Sequence, residues 1–383
     1  HCVKDTALDA KKLGFEVTVF EDLTVPDQTA AVGGANFALD LLRGAAKPDA
    51  TTILSPYSAL LALGMAANGA GGRTLEEMEY ALGARLEDLN AWLASCRAAE
   101  DGEVVSANSI WTRNGTVQLL PEFRQTMEQK YGAEVHAGDL SVAAINEWVD
   151  SNTKGRIKKL LEQDDPSIVT YLINAMTFDA EWASPYEPQS CSEGTFHASD
   201  GTEQTVTYLS GEERGYLEVA GATGFVKHYS GGRYSFAGLL PAEGSTPEAL
   251  VEALDGETLL QAICNPQSKT VYTRMPKFTA ATTAELKPVL ERMGMQAAFT
   301  DAADFSLLSD TPLKIDAVQQ KTYLQVDESG TIGAAVTSIP MMEATAVQTE
   351  EPKTVYLTRP YLCVIFDHET QSIVFLGIVN QVS

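Results

Sequence analysis

The residues of this 383-residue chain that could do chemistry do not form, by type and spacing, any recognisable reaction centre. The five histidines (His1, His136, His197, His228, His368) are scattered, and no His-Glu-x-x-His pair places two metal ligands on one helical face. No Gly-x-Ser-x-Gly turn holds a serine nucleophile above a strand. A metal site or Ser-His-Asp triad would have to assemble from distant residues, and nothing points to one. The five cysteines (Cys2, Cys96, Cys191, Cys264, Cys363) are odd in number and lack a Cys-x-x-Cys pair. They read as small buried or half-buried thiols rather than as a disulfide framework or zinc site. Gly69-Ala70-Gly71-Gly72-Arg73-Thr74 is faintly like a phosphate loop but lacks the Gly-Lys-Ser/Thr ending, and reads as a plain turn. Asn114-Gly115-Thr116 fits a glycosylation sequon and reads as a tight turn. No metal, cofactor or enzymatic activity is expected.

One stretch offers chemistry of another kind, that of the main chain. Between Gly330 and Lys353 there is no helical stripe, two prolines interrupt the run, and the segment is longer than structureless loops in compact domains usually are. Its first half is small and compatible with a strand. A loop that slides between two strands of a formed sheet needs small inward-facing residues and free backbone donors. Thr331, Gly333, Ala335 and Thr337 fall on one face at period two, and none is charged, large or proline. Ile332 and Val336 fall on the other face. Pro340 lies further in and removes one donor, which should weaken late insertion.

The remaining composition narrows the partners. With 27 Lys+Arg against 52 Asp+Glu the formal charge is −25, and no basic run exceeds Lys158-Lys159, so nucleic-acid backbones and anionic membrane surfaces are disfavoured. The longest near-continuous apolar stretch, about Ala59 to Ala67, is far short of the ~20 residues of a membrane span. A 44% hydrophobic and 21% charged chain is ordinarily globular, and at this length it buries roughly three quarters of its surface on folding. The chain starts at His1 and shows no basic region followed by an apolar one, so no signal peptide is read in it.

The positioning elements read as α+β. A short helix is expected at Thr6 to Leu13, stopped by Gly14, then a strand at Phe15 to Phe20, a linker at 25–34 and a helix from near Asn36. Ile145, Trp148, Val149 and Asn152 have helical spacing, with Gly155 ending the turn. Strand-like runs recur at Val104–Trp111, Ile168–Thr177, Tyr234–Leu240, Val271–Phe278, Thr354–Asp367 and Ser372–Val379. Strict strand–helix alternation is absent, so a doubly wound fold is not expected.

Two resemblances add to this. Cys2-Val3, Thr6-Ala7-Leu8-Asp9-Ala10, Leu13-Gly14 and Glu21-Asp22 resemble the nucleophile region of nicotinamidase-like cysteine hydrolases. That family's Asp and Lys partners come from earlier in the chain, and only His1 precedes Cys2, so residues 1–24 read as an inactive fragment or fusion remnant. A second, ordered series runs through Asn36-Phe37, Ser55-Pro56-Tyr57-Ser58, Gly69 to Thr74, Ala107-Asn108-Ser109-Ile110-Trp111, Ile145-Asn146-x-Trp148-Val149, Thr153-Lys154-Gly155-Arg156-Ile157 and Leu172-Ile173-Asn174-Ala175. Trp182, Met275-Pro276-Lys277-Phe278, Arg359-Pro360-Tyr361-Leu362 and Phe375-Leu376-Gly377 complete it. With that series, residues 35–383 resemble the serpin family, of inhibitory and bacterial type. The resemblance implies three β-sheets, about eight to nine helices and an exposed reactive-centre loop at about 328–358.

In that family's pattern Glu328, Gly330, Thr331, Gly333, Ala334, Ala335 and Thr337 match the hinge of inhibitory members, and Trp182 marks the breach where the loop starts to enter. Ile332 stands where Glu is frequent and Gly333 replaces a usual Ala. The family's spacing places the cleaved bond at Ala344-Thr345, with Glu343-Ala344 and Met342-Glu343 as alternatives. A small Ala suits elastase-like or subtilisin-like serine proteases and not a trypsin-like pocket. The resemblance thus implies a monomeric suicide-substrate inhibitor, secreted or at the cell surface, with a non-inhibitory chaperone or carrier as the alternative.

Overall fold

The computed structural model describes residues 28–100, 102–113, 115–138, 140–165, 168–331 and 351–382. The helix and strand expected before residue 21, and the loop residues from 332 to 350, lie outside the described residues.

Helix α1 (Gln28–Ala45) begins eight residues before Asn36 and takes in residues 28–34, so most of the expected linker is helical. Its alanines and Gly33-Gly34 allow close packing. A Cβ on Gly33 would stand 2.1 Å from the carbonyl oxygen of Gly83, the left-handed residue (φ 75°) that ends a later helix. β1 (Thr52–Leu54) leads into α2 (Pro56–Ala67), which Ser55 caps by accepting from the Ser58 amide, with Pro56 at the first helical position. The expected turn at Gly69–Thr74 holds only to Gly71, because α3 (Gly72–Leu82) starts there; α4 (Leu86–Ala98) follows.

The described residues form three sheets. The largest has nine strands. Its path runs β1, then β16 (Ile373–Val379), β15 (Tyr361–Asp367), β9 (Tyr234–Leu240), β8 (Ala222–His228), β7 (Glu203–Val219), β10 (Gln267–Pro276) and β14 (Lys353–Tyr356), with β6 (Cys191–His197) on β7. Two expected runs are corrected here. Val271–Phe278 breaks at Lys277, beyond which β11 (Phe278–Glu285) belongs to another sheet. Thr354–Asp367 breaks around Pro360 into β14, parallel to β10, and β15, between β9 and β16.

A three-stranded sheet pairs β2 (Val104–Arg113) with β3 (Glu134–Gly138) and β4 (Thr170–Phe178). A four-stranded sheet has the order β11, β12 (Gln319–Val326), β13 (Gly330–Thr331), β5 (Ala180–Glu181). Since only Asp179 separates β4 from β5, the two small sheets share one strand line, and β13 bridges it to β12 at one end. Along β4 the side chains alternate. Met176 and Phe178 enter the main core, while Ile173 and Ala175 face a second cluster with Trp111 beneath α6 (Val142–Asn152). The remaining helices are α5 (Pro121–Thr126), α7 (Pro247–Ala253), α8 (Gly256–Cys264) and α9 (Lys287–Arg292).

Candidate functional site

Below the bridge of β13, the edge of β4 faces the edge of β12 across a cleft. Among the described residues no strand lies between them: β4 pairs only with β2, and β12 meets β13 at the single pair Val326–Thr331. The cleft encloses about 420 Å³ between β4 and the stretch from Lys314 to Tyr323. Its floor includes Ala59, Leu63 and Ala66 of α2, with Phe375. Asn174 Oδ1, Thr170 Oγ1 and Thr177 Oγ1, all on β4, are buried without a hydrogen-bond partner. A sheet edge with orphaned polar atoms in an apolar-floored slot is a site for one more strand.

The slot is braced from below. Gln320 of β12 holds both backbone groups of Ser55, accepting from its amide at 3.0 Å and donating to its carbonyl at 2.8 Å. Thr322 donates to the Ile53 carbonyl at 2.6 Å, and Ser55 Oγ to that of Val374 at 2.9 Å. On the outer side the segment after α6 crosses over. Asn146 accepts from the amides of Leu160 and Leu161, and Lys321 of β12 donates to the Lys159 carbonyl at 2.9 Å and to Glu162 at 2.8 Å.

At the head of the slot the structure brings together four expected residues, Glu328, Gly330, Thr331 and Trp182. Asp327 Oδ1 accepts from the amides of Ser329 and Gly330, which closes the turn from β12 to β13. Gly330 and Thr331 then pair with Glu181 and Ala180. A Cβ on Gly330 would meet the Ala180 carbonyl oxygen at 2.2 Å, so only glycine fits. Trp182 is fully buried. Its Nε1 donates to the Asp327 carbonyl and its amide to that of Ser329, each at 2.9 Å, while the Tyr186 amide donates to Glu328 O at 2.9 Å. Tyr229 stacks on Trp182 at 4.4 Å between centroids, and its hydroxyl meets Thr331 Oγ1 at 2.7 Å in full burial. Glu328 accepts from the half-exposed Lys277 ammonium at 2.6 Å, and this hydrogen bond holds its carboxyl below the usual range and the ammonium above its own.

The expected residues Gly333, Ala334, Ala335, Thr337, Ala344 and Thr345 lie outside the described residues. Sequence reasoning missed Tyr229, Lys277's partnership with Glu328, and the clamp of Gln320 on Ser55. Each joins positions far apart in the chain; only the quoted Met275-Pro276-Lys277-Phe278 and Ser55-Pro56-Tyr57-Ser58 runs signalled that their neighbourhoods mattered.

A family model described as Serpin (serine protease inhibitor) matches residues 33–382. An uncharacterized serpin-like protein of Thermococcus kodakarensis is 30% identical, covering 94% of this chain and 88% of its own length. The corticosteroid-binding globulin of Oryctolagus cuniculus is 29% identical, covering 92% and 95%. Among solved structures, the thermophilic serpin tengpin in its native state superposes with a TM-score of 0.84 at 35% identity, covering 96% of each chain. The hydrolase resemblance of residues 1–24 finds no support in these comparisons, and the family match begins after them.

Two outcomes are expected. Replacing Gln320 by Ala strips both backbone partners from the buried Ser55, so unfolding free energy should fall by about 2–4 kcal/mol, read by denaturant titration. For Glu328 the lowered pKa means that its contribution is complete above the unfolded carboxylate value of 4.5 and is lost as pH falls through the folded one. The gap in melting midpoint between the parent chain and Glu328→Gln should therefore be full near neutral pH and close on acidification below 4.5. With these pairings in place, the chain belongs to the serpin family.

Proposed function

We propose that this chain is a suicide-substrate inhibitor of serine proteases with elastase-like or subtilisin-like specificity, with residues 35–383 as the inhibitory domain and 328–358 as its loop. The observation that carries the reading is the slot between β4 and β12, whose head already holds Gly330 and Thr331 in strand register.

Extending that register strand by strand gives the inserted arrangement. With Thr331 opposite Val326 and Ala180, Gly333 would lie between Leu324 and Phe178, Ala335 between Thr322 and Met176, and Thr337 between Gln320 and Asn174. Leu324, Thr322 and Gln320 are buried, as are Met176 and Phe178, so the small residues at 333 and 335 go where space is scarce. The hydroxyl of Thr337 would arrive beside Asn174, whose Oδ1 is buried and without a partner. Pro340 would fall opposite Tyr171, past Gln319 at the start of β12, where a missing donor costs little.

The protease serine attacks the carbonyl of Ala344, the bond to Thr345 breaks with the amine leaving, and an ester joins Ala344 to the enzyme. The strand from Thr331 to Ala344, roughly 46 Å at ~3.3 Å per residue, then enters the slot and carries the enzyme across the molecule. New ladder bonds at ~1 kcal/mol each release on the order of 10 kcal/mol. Slowing deacylation ~10⁵-fold requires only about 7 kcal/mol, so distortion of the captured oxyanion hole is within reach. The inhibitor acts as bait and spring, not as a catalyst. As proposed, the inhibitor meets its target outside the cell, secreted or at the surface, and acts as a monomer.

The rival reading, a carrier that does not inhibit, draws on relatives such as the corticosteroid-binding globulin. Incubation with pancreatic elastase or subtilisin separates the two. An inhibitor gives a complex that survives SDS and boiling and, after nicking of its loop, melts many degrees higher; simple turnover of the loop with an unchanged midpoint overturns inhibition. Thr331→Arg should turn the chain into a substrate, since the charge would have to replace a fully buried hydroxyl at the head of the slot.

A further inference from the structure

Lys227 is the one lysine or arginine among the buried residues of the described chain, 3% exposed. Its ammonium donates to Glu213 Oε1 at 2.8 Å and to the Ser184 carbonyl at 3.0 Å, and it lies 4.3 Å from the Tyr186 ring centroid and 5.3 Å from that of Trp182. One cation therefore joins three segments: β8, β7 and the stretch from Trp182 to Tyr186 that follows β5. That stretch is the platform on which the loop root rests, because Trp182 and Tyr186 supply the donors to the carbonyls of 327, 328 and 329.

Burying an ammonium and a carboxylate is costly, and burial indeed holds the Glu213 carboxyl above its usual range despite the pull of Lys227. Pairs of this kind are often exchangeable for apolar residues without loss of stability. What an apolar pair lacks is direction. It has no donor for Ser184 O and no cation for two ring faces, so the Ser184–Tyr186 end of the platform loses its directional hold, while the Ala183 amide keeps the start of the platform on His228 O at the end of β8.

We propose that the Lys227–Glu213 pair is a positioning device for loop insertion, fixing the Trp182–Tyr186 platform so that the strand following Thr331 enters the slot in register before the acyl-enzyme is hydrolysed. This rests on the inhibitory reading above. Insertion competes with deacylation, so a platform that shifts diverts attack into turnover without altering how fast the loop is attacked.

The test compares the parent chain with Lys227→Met and with Lys227→Met/Glu213→Leu, using subtilisin as the probe. Losing one hydrogen bond and the ring contacts from the insertion step slows it about tenfold. The moles of inhibitor consumed per mole of enzyme should rise about severalfold in both variants, while the second-order rate of loop attack stays within about twofold of the parent. The double variant, free of any unpaired buried charge, should keep the parent's melting midpoint. A double variant with the parent's stoichiometry overturns the proposal, since charge pairing alone would then be the role, and so does a single variant that matches the parent. If the parent chain forms no SDS-stable complex, the inhibitory reading falls by itself. The pair is then judged by how fast loop-nicked chains gain thermal stability, where equal rates in parent and Lys227→Met overturn it.

Discussion

Main-chain amides and carbonyls inside a protein must be paired, and along the facing edges of β4 and β12 no described strand offers itself as a ladder partner over most of a strand's length. The surrounding structure is arranged about this gap. The floor is apolar, helix α2 and β1 are tied to β12 through Ser55, Ile53, Gln320 and Thr322, and the chain beyond α6 crosses the outside. Closing the two edges on each other would need both small sheets to slide over this bracing. Filling the gap with a strand needs only the strand, and β13 already occupies the first register position.

The head of the slot differs from its length in kind. Below, the contacts are a sheet edge and a hydrophobic floor; above, they are directional. Indole and backbone donors hold three successive carbonyls, a phenol meets a threonine hydroxyl in full burial, and glycine at 330 permits the approach of Ala180. Such contacts fix a register to within one residue, and register is what a one-residue slip would reverse from face to face. The exposed Lys277–Glu328 pair adds less, being open to solvent and salt.

Much of this was legible in the amino-acid order. Of the small residues at 331, 333, 335 and 337 the described chain includes Thr331, which stands in strand register at the head of the slot, and the motifs around Ser55, Asn174 and Trp182 lie on the slot or at its head. Other features could not be read. The Val271–Phe278 run looks like one strand because β propensity does not register that Pro276 and Lys277 hand the chain from one sheet to another. The run from Thr354 to Asp367 likewise hides a change of partners near Pro360. Helix α1 starts before Asn36 because packing of small residues against Gly83 outweighs the weak helix propensity of Gly33 and Gly34. No motif singles out Lys227, and only the fold places Glu213 and two aromatic rings around it.

The loop's two ends are fastened in different sheets: Thr331 in the four-stranded one, and Lys353, through β14, beside β10 in the nine-stranded one. Downstream of Lys353, β15 is sandwiched between β9 and β16, and every residue of β15 and β16 is buried. A molecule severed between 344 and 345 would therefore stay in one piece. Its carboxy-terminal portion is core rather than leaving fragment, so sedimentation or gel filtration would register no change, and two chains would part only once the fold is denatured.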